Sequence, residues 1–424
     1  MISTQLECSD ACRRYVDLLR RLHRLFVGGR GDSQEADELR DAMDGPWDEL
    51  TTEQREIVSG LAADLNSIRR GVPASAVAWQ GTLAENERAL SRSYQAGNWH
   101  DVLKYLRRLV AFRRPALVAY LRGRAWSNWL DDDTAILFFE HALSLEPDNK
   151  TIAYATLQCL ARVNLPKAVQ RADEVLADPE QRSEEVIVAA AGIRCRSLRE
   201  VLDGETGTTL QKLIRVLERT LERLQVPRAE PQHPALFAAA VAVASQCCQL
   251  RGDFEGARRL FDEGVKSRPR DGTLRVGRGM LLYARDEAEA VRDFELAANL
   301  DVPVVWPYFF LAHHRLVRNR FADCLEFCGL ALRFPSPEAI RANVLEWVAI
   351  CQWHLGFPAQ VVRASFDAAK ELAPGNGRIA RNAELFEDFG AELREGEPQW
   401  EPTFPMEMPA FGPVETEWLL TAIG

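Results

Sequence analysis

Residues 117–149 read LVAYLRGRAWSNWLDDDTAILFFEHALSLEPDN and decide the fold. The stretch predicts two short helices joined by an acidic turn, since three consecutive aspartates favour the positive N-terminal end of the helix that follows. In that second helix Ala135, Phe139 and Ala142 are four and three residues apart, so they share one face. Pro147 ends the helix. The order small, large, small predicts a neighbouring backbone close to both alanines, with the phenyl ring between them.

The same face recurs along the chain at a nearly constant interval. The sets begin at residues 102, 135, 168, 257, 290, 324 and 362, and four of the six intervals are 33 or 34 residues. The longest interval leaves room for one longer helix pair, which we place at residues 184–226. The other sets are Val102–Leu106–Leu109, Ala168–Ala172–Val175, Leu213–Leu217–Thr220, Ala257–Phe261–Gly264, Ala290–Phe294–Ala297, Cys324–Cys328–Ala331 and Val362–Phe366–Ala369.

A helix–turn–helix unit of about 34 residues with this order of small, aromatic and proline positions resembles the tetratricopeptide repeat. The resemblance covers about residues 85–390. It implies an all-α fold, a right-handed superhelical solenoid of stacked antiparallel helix pairs, with a concave groove lined by the first helix of each pair. It also implies a scaffold that binds other proteins, without identifying the partner.

Four regions follow from these patterns. Residues 1–75 are predicted to form an N-terminal helical capping region, because an uncovered first repeat would leave an apolar face in water. Residues 76–226 form a first stack of repeats and residues 235–393 a second stack with a terminal helix. Residues 394–424 form a tail rich in proline and aromatic residues. Three prolines in residues 227–234 predict a hinge between the stacks.

Two local predictions concern where helices begin and end. Ser33 is a suitable N-cap for a helix that Gly45 and Pro46 are expected to stop. Residues 203–209, Asp-Gly-Glu-Thr-Gly-Thr-Thr, are predicted to form a polar loop inside the long pair.

Composition narrows the function classes. The net charge of −10 argues against a general nucleic-acid binder, which needs a basic surface. The sequence contains no run of 18 apolar residues, so we expect no membrane span. The first residues, MISTQLECSD, do not resemble a secretory signal. Nine scattered cysteines suit a reducing compartment better than a disulfide framework, so we expect a cytoplasmic protein.

The concave groove is the predicted binding site for a peptide or helix of a partner protein. Arginine can hold the carboxylates of an extended peptide and side-chain amides its backbone, whereas the competing interpretation is packing between repeats. Arg124 and Asn128 occur there without the lysine set of the clamp that chaperone-binding members of the family use. The residues that match the groove positions of the family are Tyr94, Tyr120, Arg124, Asn128, Tyr154, Gln246, Gln249, Arg275, Trp306, Phe309, Phe310, His313 and Glu346.

Catalytic chemistry finds little support in the sequence. Cys324 and Cys328, with His313 and His314 in the preceding helix, contain ligand types that zinc prefers, but both cysteines occupy face positions where small buried residues are expected. We therefore predict no metal, no cofactor and no enzymatic activity. Two alternatives stay open: an assembly chaperone or regulatory subunit of a larger complex, and an enzyme with a site between the N-terminal helices and the first repeats.

The C-terminal tail has too little apolar sequence between its prolines to form a core of its own. Pro398, Pro402, Pro405, Pro409 and Pro413 alternate with four aromatic residues. Such a chain is extended and adaptable. It is predicted to occupy the groove, to recruit a partner through its aromatic side chains, or to pack along the outside of the solenoid.

Overall fold

The computed structural model describes residues 9–70, 81–109, 113–199, 204–226 and 234–390, and every regular element in them is helical. The chain divides into two compact units, residues 1–197 and 198–423. Within each unit, most consecutive helices pack against one another, and the turns between them are mostly short. The predicted all-α solenoid of stacked helix pairs is confirmed at this level, whereas the handedness of a superhelix stays a prediction.

The first unit contains the N-terminal helices and the first repeats. Its helices are α1 (Asp10–Val27), α2 (Gln34–Glu49), α3 (Thr52–Arg70), α4 (Leu83–Ala96), α5 (Trp99–Leu109), α6 (Pro115–Trp129), α7 (Asp132–Leu145), α8 (Lys150–Val163), α9 (Leu165–Ala177) and α10 (Glu184–Ser197).

The second unit contains the remaining repeats. Its helices are α11 (Gly204–Gln225), α12 (Pro234–Leu250), α13 (Phe254–Ser267), α14 (Gly272–Leu282), α15 (Glu287–Asn299), α16 (Trp306–Leu316), α17 (Phe321–Ala331), α18 (Glu338–His354), α19 (Ala359–Leu372) and α20 (Gly377–Leu385).

The repeated small and large positions form the contact between paired helices. Ala135, Phe139 and Ala142 are all buried on α7, as are the corresponding residues of the other sets. The ring of Phe139 lies directly over Gly123 of α6, where a Cβ would come within 2.6 Å of a ring carbon. The glycine therefore lets the two helices approach, which offsets its low helix propensity.

Substituting Gly123 tests this contact. We expect Gly123→Ala to lower the free energy of unfolding by about 1–3 kcal/mol, because the new methyl group overlaps the Phe139 ring. Gly329 in α17 is the matched control, since a Cβ there meets nothing within 4 Å. Gly329→Ala should stabilise by up to about 1 kcal/mol through helix propensity alone. Urea denaturation measures both, and equal effects of the two substitutions would contradict the proposed contact.

A buried charge cluster joins α3 to the first repeats. Asp64 of α3 has no exposed surface and accepts two hydrogen bonds from Arg107 of α5, at 2.9 and 2.7 Å. Arg122 of α6 lies 3.2 Å from the same carboxylate and donates to Ser67. Arg20 of α1 donates to Asp131, in the turn before α7. These contacts join the N-terminal helices to the first repeats, whereas their predicted covering role stays a prediction.

The predicted end of α2 at Gly45–Pro46 is wrong. Ser33 is the N-cap, as predicted, with its hydroxyl accepting from the amide of Ala36, but the helix continues through Pro46 to Glu49. The last turn is held from outside the helix. Trp47 packs against the ring of Tyr15 at 5.4 Å, and the Arg55 side chain donates to the Trp47 carbonyl.

The predicted polar loop at residues 203–209 is also wrong, because α11 already begins at Gly204. Thr206 is buried, so this turn belongs to the packed part of the helix. The hinge predicted at 227–234 falls outside the described residues except for Pro234, the first residue of α12. The predicted tail, 394–424, lies wholly outside them, and the division into four regions stays a prediction.

Candidate functional site

The predicted groove positions of the first unit come from successive first helices of the repeats. Tyr94 lies on α4, Tyr120 and Arg124 on α6, and Tyr154 on α8. Tyr120 is half-buried, with its ring centroid 6.0 Å from that of Phe139, which keeps it beside the repeat contact. Tyr154 is buried. We call these positions on successive first helices the row.

Neighbouring side chains of this row affect the pKa of Tyr120 and Tyr154. Burial raises the pKa of Tyr120, an effect that the charge of Arg124 opposes and the Tyr94 phenol reinforces. Burial also raises the pKa of Tyr154 far above its usual value, against the charges of Arg162 and Arg124. Side chains from α4, α6 and α8 therefore act on one another. Tyr120 and Tyr154 stay protonated at neutral pH and keep an O–H donor each.

Arg162 of α8 belongs to this row but was absent from the predicted site. Its guanidinium donates to both carboxylate oxygens of Asp132, at 2.5 and 2.9 Å, and thereby joins α8 to the start of α7. Burial alone would raise the pKa of Asp132, but hydrogen bonds from Arg162 and Ser127 lower it. Sequence reasoning missed this pair because its members are 30 residues apart and only the stacking of repeats brings them together.

Asn128 is the most accessible of the predicted residues in this unit. Its side-chain amide donates to the Arg124 carbonyl one turn earlier on α6, and its remaining surface is exposed. Arg124 itself is half-buried between the two tyrosine positions. The accessible part of the row is thus made by Tyr120, Arg124 and Asn128.

Most of the predicted residues in the second unit are buried. Gln246, Trp306, Phe309 and His313 each expose less than a tenth of their surface. His313 lies 2.9 Å from the Tyr283 hydroxyl through its Nδ1 atom. Packing between repeats therefore accounts for these four positions, and their role in a binding groove stays a prediction.

Arg275 is accessible only in part. It donates to the carboxylate of Asp293 at 3.2 Å and to the Pro269 carbonyl at 2.9 Å. Arg278 of the same helix also holds Asp293, at 2.6 Å, and reaches Asp262 of α13. The hydrogen bonds that Arg278 donates to these carboxylates keep its pKa above the usual range. Arg275 is therefore engaged in a network that ties α13, α14 and α15 together.

The first unit also contains a cleft that sequence reasoning did not predict. It has a volume of 390 Å³ and lies between α7, α8 and α9. Leu143 and Leu160 line its apolar part, and Arg171 and Glu174 its polar part. Lys167 of α9 forms an ion pair with Glu140 of α7 beside it. Its lining residues come mainly from three helices, so no single stretch of sequence signals this cleft.

A buried carboxylate holds the last helix of the second unit. Glu346 of α18 accepts from the Asn382 amide at 2.7 Å and lies 2.7 Å from the Arg378 guanidinium, both on α20. Burial raises the pKa of Glu346 to about 7, although Arg378 and Asn382 lower it in part. The protonation state of Glu346 therefore influences how strongly α20 is held against α18.

Glu346 makes stability depend on pH. The folded protein holds its proton up to about pH 7, whereas the unfolded chain releases it near 4.5. The folded state binds more protons between these values, so its contribution to stability falls as pH rises, on the order of 1–3 kcal/mol. Comparing urea denaturation of the wild type with Glu346→Gln from pH 4.5 to 8 isolates this term. Parallel pH profiles of the two proteins would refute it.

The cysteines are packed as small apolar residues. Cys324 and Cys328 are fully buried, with their sulfurs 3.9 Å apart. The hydrogen bond with Cys328, together with burial, keeps the pKa of the Cys324 thiol above its usual value. Across the described ranges, no group of three His, Cys, Asp or Glu side chains is arranged to hold a metal ion.

A helix must be both long and apolar to span a membrane. Among the described helices, none combines the length and the apolar character that crossing a bilayer requires.

The buried small–large–small faces and the stacked helix pairs together identify the repeat type. The fold is a tetratricopeptide-like helical solenoid. No protein-family model matches the sequence, and no curated protein matches it.

Two solved structures are similar to this tetratricopeptide-like chain. A tetratricopeptide repeat protein from Parabacteroides merdae matches 68% of this chain and 99% of its own, with 14% identity and a TM-score of 0.41. The C-terminal part of a repeat-containing protein from Cytophaga hutchinsonii matches 70% of this chain and 98% of its own, with 11% identity and a TM-score of 0.33.

Proposed function

We propose that this chain is a non-enzymatic scaffold that binds an extended segment of a partner protein along the first unit. The observation that carries the proposal is the placement of Tyr94, Tyr120, Arg124 and Tyr154 on three successive first helices, with Asn128 exposed beside Arg124. A row of this kind follows the repeats, and an extended peptide follows the same direction. One partner segment thereby contacts several repeats at once.

The chemistry of the row suggests what such a segment contains. Tyrosine and arginine are the residues that most often dominate binding energy at protein interfaces. The Arg124 guanidinium suits a carboxylate of the partner. The protonated Tyr120 phenol and the exposed Asn128 amide suit backbone carbonyls. We infer a segment with at least one acidic side chain or a terminal carboxylate.

The state of the described cysteines supports a reducing location. None of these eight cysteines forms a disulfide and all are buried, which is the state expected in the cytoplasm. An assembly chaperone or regulatory subunit is the main alternative to a transient peptide binder. A stoichiometric complex that survives native purification would favour that alternative, whereas rapid exchange would favour the transient binder.

The proposal is tested by identifying and then measuring the partner. Pull-down with mass spectrometry under native conditions supplies candidates, and synthetic peptides from them give affinities. We expect Arg124→Gln to weaken the affinity at least tenfold, because the partner carboxylate loses its cation. Arg341→Gln, an exposed arginine on α18, is the control and should bind normally. Equal affinity of both variants and the wild type would overturn the proposal, provided that their thermal unfolding is unchanged.

Removing residues 395–424 tests whether the tail occupies the groove itself. Tighter partner binding by the shortened chain is expected if the tail competes for the row on α4, α6 and α8. An unchanged affinity would show that the tail does not occupy that row.

A further inference from the structure

Three large apolar side chains of the second unit are exposed within seven residues of sequence. Leu355, Phe357 and Val361 expose 41%, 42% and 40% of their surface, although they lie where α18 turns into α19. Val317, in the turn between α16 and α17, exposes 41%. We call these four residues the turn patch.

The two turns that carry the turn patch are neighbours. The ring of Phe321, at the start of α17, stacks on His354, at the end of α18, with centroids 3.9 Å apart and planes inclined by 5°. Each turn joins the first helix of a pair to its second helix, so both lie at the same end of the stack. The exposed side chains therefore belong to one edge of the unit.

The chain leaves the described structure beside this edge. After α20, Phe386 packs against Phe366 of α19, with ring centroids 5.7 Å apart. Glu387 then accepts two hydrogen bonds from Arg363, at 2.6 and 2.8 Å. Arg363 is two residues beyond Val361 on the same helix. The described chain therefore ends against α19, the helix that carries Val361 of the turn patch.

The sequence that follows has the composition of a covering segment. Residues 391–424 contain Trp400, Phe404, Phe411 and Trp418, together with five prolines. Such a chain extends by about 3.1 Å per residue. Trp400, ten residues after Gly390, reaches at most roughly 35 Å from it. Proline also removes backbone donors that would otherwise need partners on an apolar surface.

We propose that residues 391–424 dock on the turn patch of their own chain and cover it with their aromatic side chains. The tail then acts as a strap along the edge of the last repeats, outside the groove of the first unit. The proposal is independent of the peptide-binding function, because it concerns other residues and an intramolecular contact.

Photocrosslinking of the full-length protein tests this contact. Benzoylphenylalanine at position 357 should give intramolecular products that mass spectrometry maps to residues 391–424. The matched control is position 145, where Leu145 of α7 exposes 44% of its surface. We expect at least a tenfold higher yield of tail products from position 357. Products that join position 357 only to a second copy or to other segments, or equal yields at both positions, would overturn the proposal.

A second measurement does not depend on the crosslinker. Val361→Asp in the full chain should increase the rate of proteolytic cleavage within residues 391–424 at least fivefold, since a buried aspartate would disfavour docking. Its thermal unfolding should remain unchanged, because Val361 is exposed on α19. Unchanged cleavage of the tail in this variant would also overturn the proposal.

Discussion

Replacing Phe139 by alanine is expected to lower the free energy of unfolding by about 3–5 kcal/mol. The ring is almost fully buried on α7, lies over Gly123 and approaches Tyr120. Alanine removes these contacts and leaves a cavity that the stacked helices fill only in part. In a repeat protein each pair contacts mainly its neighbours, so the damage should remain local.

Hydrogen exchange combined with urea denaturation measures both the size and the location of this effect. Amide protection should fall in α6, α7 and α8 and persist in α18, α19 and α20. Phe366→Ala is the matched control, because that ring is equally buried on α19 and packs against Phe386. Phe366→Ala should lower the free energy of unfolding by a similar amount. Amide protection should then fall in α18, α19 and α20 and persist in α6, α7 and α8. An unchanged unfolding curve for Phe139→Ala would contradict the repeat register.

The second large effect is expected from Asp64→Asn, which should destabilise the protein by about 3–5 kcal/mol. The substitution keeps the size of the side chain but removes its charge. Arg122 is buried beside it and Arg107 nearly so, and both guanidinium groups would lose their counterion in the interior. Burial already lowers the pKa of Arg122. An isolated buried cation costs far more than an exposed one.

A surface pair provides the control for Asp64. Arg171 and Glu174 are 2.6 Å apart on α9, and both side chains are about half exposed. Glu174→Gln should change the free energy of unfolding by less than about 0.5 kcal/mol. The effect of Asp64→Asn should also persist in high salt, because buried charges are poorly screened. Similar losses for the two variants would contradict the structural role of the buried cluster.

The periodic part of the fold was predictable from the sequence. The spacing of Ala135, Phe139 and Ala142 specifies one helix face, and its recurrence specifies stacked pairs. All of these positions are buried in the structure. Such a pattern can be recognised because each repeat buries the same type of helix face, so that weak local signals add over the whole chain.

The candidate site was less predictable for a physical reason. On the first helix of a pair, some positions face the groove and others face the next repeat. A rotation of only a fraction of a turn around the helix separates the two kinds of position. Tyr120 and Trp306 were therefore assigned the same role, although one is half-buried and the other is buried. Pairs such as Asp64 with Arg107 depend on stacking across 43 residues and leave no local pattern.

The contact between Gly123 and Phe139 also constrains how this protein evolves. The ring of Phe139 occupies the space that a side chain at position 123 would need. The ring of Phe294 occupies the corresponding space at Gly279. A lineage that acquires a larger residue in place of either glycine must shrink the matching ring. Descendant sequences should therefore show paired changes at 123 with 139 and at 279 with 294, and drift at one position alone should be rare.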